Sequence, residues 1–333
     1  MAAQPAAYSQ LRYLAAKKTV DDRAINRRLW ERVQQELSAT HGALHVLELG
    51  AGIGTMVERL VEWGMFAGAG GSPPAPARSR EVYLTLVDSD AACVAEARAR
   101  LAAWAGPAGF AIAHDEGRLC LRRRDLTLLL EFVADDALAF AARDASRGVW
   151  DLLIANAFLD LVDTRPALPL LLSVLPPGGL FYFTINFDAG TILEPVVDPP
   201  LDEQITRVLY GAADGGDATG SDCVNPRAGR RLFHEVRRAG GEVLDMGSCD
   251  WVVFPGRDGY PADEAYFLHH IIYLMEQTLA GHPALDAAAF AAWIAERHRQ
   301  IDAAELVYVA HQLDLLGRVP AASPGPAHGG PDV

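Results

Sequence analysis

Short apolar runs alternate with helically spaced segments along most of this chain. Leu44, Val46, Leu47 and Leu49 form a nearly continuous apolar strand, followed by Gly50, Gly52 and Gly54 and then by Met56-Val57-Glu58-Arg59-Leu60 at helical spacing. A buried strand, a tight glycine turn and a helix are the opening unit of a doubly wound α/β sheet. Further core strands are predicted at residues 82–87, 126–133, 150–155 and 180–185. Helices are predicted from 91 to about 104, over 168–175 and over 230–239, the second of these ended by Pro176-Pro177-Gly178-Gly179. Residues 110–113 and 118–123 read as an added β-hairpin that breaks the simple alternation. Residues 242–254 and 305–316 read as the last two strands. Two helices, about 263–279 and 286–301, separate them where a plain fold has a tight hairpin.

The ends and inserts differ in character from this core. Residues 8–38 have helical spacing and much charge, with Leu29, Trp30, Val33 and Leu37 on an inner face. Thr19 ahead of Val20-Asp21-Asp22 reads as an N-cap, so a break between two helices is expected near Lys18-Thr19. The plan is therefore an N-terminal helical cap over 1–40 and one domain over 41–318. That domain carries inserts at about 68–80, 109–124, 188–229 and 261–302. Residues 188–229 are expected to be loop-rich, and 319–333 a disordered tail by their Pro and Gly content.

Candidate chemistry gathers at strand ends. The turn glycines permit unusual φ values and let a ligand approach bare backbone, and the next helix offers unpaired N–H groups. Glu48 sits two residues ahead of Gly50, where an acid repels phosphate and suits a cationic ligand. The spacing is GxGxG, and Thr55 stands where a dinucleotide loop has its last glycine. With 68–80 set aside, Asp88 lies about 21 positions beyond Gly54, near the ~20 expected of an acid that bonds ribose hydroxyls. On these residues the chain resembles the class I S-adenosylmethionine-dependent methyltransferases, over about residues 44–187.

The resemblance implies a mostly parallel seven-stranded sheet, here with a helical lid, an added hairpin and a C-terminal helical insertion. It implies S-adenosyl-L-methionine as cofactor, held by Glu48, Gly50, Ala51, Gly52, Gly54, Asp88 and Ser89. It further implies that Asp136 accepts from the adenine amino group while the Ala137 N–H reaches a ring nitrogen, with Asp135 as the neighbouring alternative. Asn156, after the fourth strand, is expected to brace the sulfonium end. That strand lacks the NPPY or DPPY signature of amino-group methylases acting on nucleic-acid bases. A cation from the charged N-terminal segment, first of all Arg23, is expected to pair with the methionine carboxylate.

Composition narrows the partners. The 333 residues carry a net charge of −14, which argues against a nucleic-acid backbone and leaves a small-molecule acceptor as the expected partner. Arg122-Arg123-Arg124 reads as a solvated hairpin edge. Cys93, Cys120, Cys223 and Cys249 have neither disulfide-framework nor zinc spacing, so a reducing cytoplasm and no metal are expected. No signal-peptide pattern or long apolar run is present, and a membrane is not an expected partner.

The expected function is methyl transfer to a small molecule by in-line displacement. A nicotinamide-dependent oxidoreductase on a similar sheet and a non-catalytic binding module are the alternatives, with Glu48 and Thr55 speaking against the first. If a base is required, Asp160, Asp188, His234, His269 and His270 are candidates, none singled out by a motif. Tyr266, His269, His270 and Tyr273 share one predicted helix, which reads either as core packing or as a wall of the acceptor pocket.

Overall fold

The computed structural model describes residues 7–40, 42–66, 79–115, 117–211 and 225–321. Its strands are β1 (Leu44–Leu49), β2 (Arg80–Asp88), β3 (Ala111–Asp115), β4 (Arg118–Arg122), β5 (Leu126–Ala134), β6 (Leu152–Asn156), β7 (Leu180–Glu194), β8 (Glu242–Ser248), β9 (Trp251–Val253) and β10 (Val307–Arg318). They form one sheet in the order β3-β4-β5-β2-β1-β6-β7-β10-β8, with β9 also paired to β10. From β5 to β8 the described strands run parallel except β10, which opposes both its neighbours. The helices are α1 (Gln10–Ala24), α2 (Arg27–Ser38), α3 (Thr55–Glu62), α4 (Ala91–Ala105), α5 (Ala137–Ala141), α6 (Thr164–Ser173), α7 (Pro199–Gly211), α8 (Ala228–Arg238), α9 (Glu264–Leu279) and α10 (Ala287–Asp302).

Strand alternation divides the core. Leu44 and Val46 of β1, Leu152 and Ile154 of β6, and Leu180 and Tyr182 of β7 pack on the face covered by α1 to α4, α9 and α10. Leu47, Leu49, Leu153, Ala155, Phe181 and Phe183 pack on the other, under α5, α6 and α8. Burial of both faces explains why these strands read as continuous apolar runs. No helix among the described residues is long and apolar enough to cross a membrane.

The sheet is the mostly parallel, doubly wound one expected, with the β3–β4 hairpin on its edge and α9–α10 inserted before β10. Four local expectations are corrected. Helix α1 runs unbroken through Thr19, whose hydroxyl donates to Glu264 Oε1 at 2.7 Å. The break falls at Ile25-Asn26, where Asn26 Oδ1 caps α2 by accepting from the Arg28 and Leu29 N–H groups. Strand β7 continues to Glu194 and α7 follows it, so much of 188–211 is ordered structure rather than loop. The strand expected over 242–254 is two, parted at Cys249-Asp250. Val319, placed in the tail by sequence, exchanges hydrogen bonds with Gly178 and Gly179. Most of the 68–80 insert, the 212–224 stretch with Cys223, and 322–333 lie outside the described residues.

Candidate active site

The carboxyl ends of β1, β2, β5, β6 and β7 open on one cavity of about 940 Å³, roofed by α1 and walled by α9. That volume is near the top of the ~300–1,000 Å³ range of small-molecule sites.

Glu48, Asp88 and Asp136 converge there, as their places at neighbouring strand tips require. Glu48 is 2% exposed, and its Oε2 finds no hydrogen-bond partner among the described residues. Burial pushes its carboxyl up to about 8; the Arg59 guanidinium opposes that rise and the Asp88 carboxylate adds to it. The Asp88 carboxylate is oriented by two backbone donors, the Gly52 N–H at 2.7 Å and the Asp90 N–H at 2.9 Å. Asp136 caps α5 by accepting from the Ala139 N–H at 2.8 Å. Asp135, the alternative, is tied to Arg143 and does not line the cavity.

The glycine turn has two roles. Gly50 and Gly52, at φ +66 and +53, line the cavity with Ala51 between them. Gly54, at φ +77, does not line it: an added Cβ would lie 3.0 Å from Leu101 Cδ1 and 3.3 Å from Ala97 Cβ. It permits α3 to approach α4, which corrects its expected place on the ligand. Ser89 and Ala137 lie on the cavity wall, and so does Asn156, whose Oδ1 accepts from the Thr184 hydroxyl at 2.8 Å.

Arg23 is the other correction. Its guanidinium grips Glu264 through two bonds of 2.5 and 2.8 Å, outside the cavity lining. Glu264 is fully buried and holds that cation, with Thr19 as a further donor. With the Arg12–Asp263 pair at 2.8 Å, this clips α1 onto α9. The cation of α1 that faces the cavity is Lys17, which donates to Asp21 Oδ2 at 2.6 Å. Trp251 Nε1 donates to the other oxygen of Asp21 at 2.9 Å.

Among the candidate bases, Asp160 and His270 line the cavity and the other three do not. Asp188 is bonded by Arg230. His234 is exposed on α8. His269 lies in a buried cluster, with His298 Nδ1 at 2.8 Å and Asp302 Oδ1 at 3.2 Å. Helix α9 both packs and faces the cavity: Phe267 and Ile272 are in the core, while His270, Tyr273 and Leu274 line the cavity. Tyr8 stacks on Tyr273 and Tyr13 on His270, at 4.2 and 4.4 Å between ring centres. No group of three or more metal-ligating side chains occurs among the described residues.

Sequence reasoning missed Lys17, Tyr13 and Gln312 as cavity residues. A signal existed for the first two, because Gln10, Tyr13, Leu14, Lys17 and Asp21 recur along one face of an unbroken helix. Gln312, on the distant β10, left none.

No protein-family model matches the chain, and no curated protein matches it. Among solved structures, the [4+2]-cyclase SpnF is 17% identical, with 89% of this chain and 82% of that one covered and a TM-score of 0.43. Phosphoethanolamine N-methyltransferase 2 of Haemonchus contortus, in complex with S-adenosyl-L-methionine, is 10% identical over 94% of this chain and 58% of that one, with a TM-score of 0.41. Geranyl diphosphate C-methyltransferase of Streptomyces coelicolor A3(2), with S-adenosyl-L-homocysteine, is 10% identical over 88% of this chain and 76% of that one, also at 0.41. None of these likenesses reaches a TM-score of 0.5, so the fold stands on the chain's own strand order. Five parallel strands ordered β5-β2-β1-β6-β7, closed by antiparallel β10 and then β8, give this chain the class I methyltransferase fold.

Proposed function

We propose that the protein is an S-adenosylmethionine-dependent methyltransferase acting on a small molecule. The observation that carries this reading is the orphaned Glu48 carboxyl beside Gly50 and Gly52. A buried acid without a partner is costly unless a ligand supplies the missing cation or donor. The ammonium of a methionine tail fits that need, and Lys17 is placed on the same cavity to meet its carboxylate. Asp88, held by two N–H groups, presents its remaining lone pairs to ribose hydroxyls, and Asp136 with the Ala137 N–H suits an adenine edge.

When bound, S-adenosylmethionine supplies an activated methyl group for in-line displacement. The chain's own contribution is alignment and exclusion of water: α1 roofs the cavity, and its clips to α9 keep that roof in place. A nicotinamide dinucleotide fits poorly, because its pyrophosphate would meet Glu48. A cytoplasmic setting belongs to the same proposal, supported by the free thiols of Cys93, Cys120 and Cys249. The net charge of −14 supports a partner other than nucleic acid.

The test is calorimetry with S-adenosylhomocysteine against NADH, on the protein and on Asp88→Ala. Binding of the first ligand only, weakened at least ~10-fold by the substitution, is expected, since hydrogen bonds to a charged group contribute ~1.5–3 kcal/mol each. Unchanged affinity in the variant, or binding of NADH instead, would overturn the assignment.

A further inference from the structure

The cavity extends past the nucleotide side over the tips of β6 and β7 and along α9. Three cavity-lining groups on that side lack a hydrogen-bond partner among the described residues: Asp160 Oδ1, His270 Nδ1 and Gln312 Nε2. His270 and Gln312 are 4% and 1% exposed, and Asp160 Oδ1 is itself shielded from solvent. Buried polar atoms are paired in native proteins, so three orphans on one cavity, from the loop after β6, from α9 and from β10, mark where a ligand supplies the partners.

The charge of the lining restricts that ligand. Asp21, Glu48, Asp88, Asp90, Asp136 and Asp160 all face the cavity, and the only Lys or Arg among the described lining residues is Lys17, which bonds Asp21 at 2.6 Å and is taken up by the methionine carboxylate in the reading above. Burial holds the His270 pKa down to about 4, so its ring is neutral at pH 7. An anionic acceptor would find carboxylates on every side and no cation left for it.

Building on the methyltransferase reading above, we propose that Asp160 takes the proton from the acceptor. The acceptor is a hydroxyl or ammonium compound that carries no carboxylate or phosphate. Asp160 receives the proton and becomes the carboxylic acid, and the electron pair of the broken O–H or N–H bond stays on the acceptor atom. That pair forms the bond to the transferred methyl carbon, and the pair of the broken carbon–sulfur bond stays on sulfur. Atoms and charge balance with no further reactant. The groups acting on Asp160 are Lys17 and Tyr13 of α1 and its own backbone N–H. The Asn225 N–H bonds its backbone oxygen at 2.9 Å. Burial wins over the backbone N–H and Lys17 and raises the carboxyl to about 6, which leaves it a base at neutral pH.

The experiment combines isotope-labelled methyl donor with a small-molecule cell extract split on an anion exchanger. Asp160→Asn and Asp160→Glu are run beside the wild type, with His234→Ala, on the exposed face of α8, as the control. S-adenosylhomocysteine affinity is measured on all four by calorimetry. Labelled product is expected from the unretained fraction alone. Asp160→Asn should lower its rate ~100-fold or more, the scale of a lost general base, while its S-adenosylhomocysteine affinity stays within about threefold. The wild-type rate should fall as pH drops through about 6, and Asp160→Asn should lose that limb while Asp160→Glu partly restores it. Product only from the retained fraction, or an Asp160→Asn rate and acid limb like those of the wild type, would overturn the proposal and leave the methyltransferase reading standing. Absence of S-adenosylhomocysteine binding, or binding with no labelled product from any fraction, would remove both.

Discussion

Replacing Glu48 with glutamine should flatten the pH dependence of stability and weaken ligand binding together. Burial lifts the Glu48 carboxyl from 4.5 to about 8. Between those values the folded protein keeps a proton that the unfolded chain has released, so stability falls as pH rises through that window. At ~1.4 kcal/mol per unit, the loss is on the order of 5 kcal/mol above pH 8 and about 3 kcal/mol at pH 7. Glutamine fills nearly the same volume and has no proton to lose. The ligand-free variant should therefore match the wild type near pH 5 and gain about 6 °C in Tm over it at pH 7, at 2 °C or so per kcal/mol.

Ligand binding supplies the second half of the test. A cation arriving at Glu48 drives the carboxyl to its charged form, so binding S-adenosylhomocysteine at pH 7 should release about one proton. Calorimetry in phosphate and in Tris reads that proton as a difference in apparent enthalpy. Glu48→Gln should release none and bind at least ~10-fold more weakly, having lost a charge-assisted hydrogen bond. Parallel Tm curves for the two proteins over pH 5–8, with no buffer-dependent enthalpy in the wild type, would refute both the buried-acid argument and the cation it is said to await.

Three further substitutions separate ligand contacts from scaffold. Lys17→Met should cost ~10-fold or more in S-adenosylhomocysteine affinity, whereas Arg23→Ala should cost under ~3-fold and instead speed amide exchange in α1, because it opens the Glu264 clip; equal losses of affinity would return Arg23 to the binding site. Gly54→Ala should lower stability by ~1–3 kcal/mol in urea unfolding, from its φ of +77 and the 3.0 Å approach to Leu101, with affinity retained because it faces α4.

The parts of this fold that sequence made legible are those fixed by local or short-period physics. Strands β1 and β6 and the first half of β7 are buried on both faces and so announce themselves as apolar runs, and β2 and β5 carry enough apolar positions to follow them. The positive φ at Gly50, Gly52 and Gly54 requires glycine in the turn. Acids at the ends of β1, β2 and β5 point to one crevice because parallel neighbours share their carboxyl ends. The illegible parts depend on partners far along the chain. Helix α7 begins at Pro199-Pro200, residues well suited to a first turn but equally to a loop, and Ile205 gains its burial only from tertiary packing. Strands β8 and β9 part at Asp250, which accepts from the His311 side and the Gln312 N–H of β10.

The displaced helix break matters most, because it decides which cation of the cap meets the ligand. A Thr followed by two acids is a sound cap signal, yet the Thr19 hydroxyl is taken by Glu264, 245 residues away, and α1 continues. Once α1 is a single helix, its faces follow from ~100° per residue. Tyr13, Lys17 and Asp21 then lie within about 40° steps of one another and look into the cavity. Arg23 lies about 120° around from Lys17, on the side where α9 offers the buried Glu264. The charge count of the segment is the same in either reading; only the unbroken periodicity distinguishes a residue that lines the site from one that fastens its roof. Arg12 and Arg23 bracket Tyr13 and Lys17 along the helix, so the clips to α9 fix the rotation of the face between them. Loosening either clip should therefore act on binding only indirectly, through the orientation of Tyr13 and Lys17, which is why the loss expected of Arg23→Ala stays under the ~3-fold given above while that of Lys17→Met reaches ~10-fold.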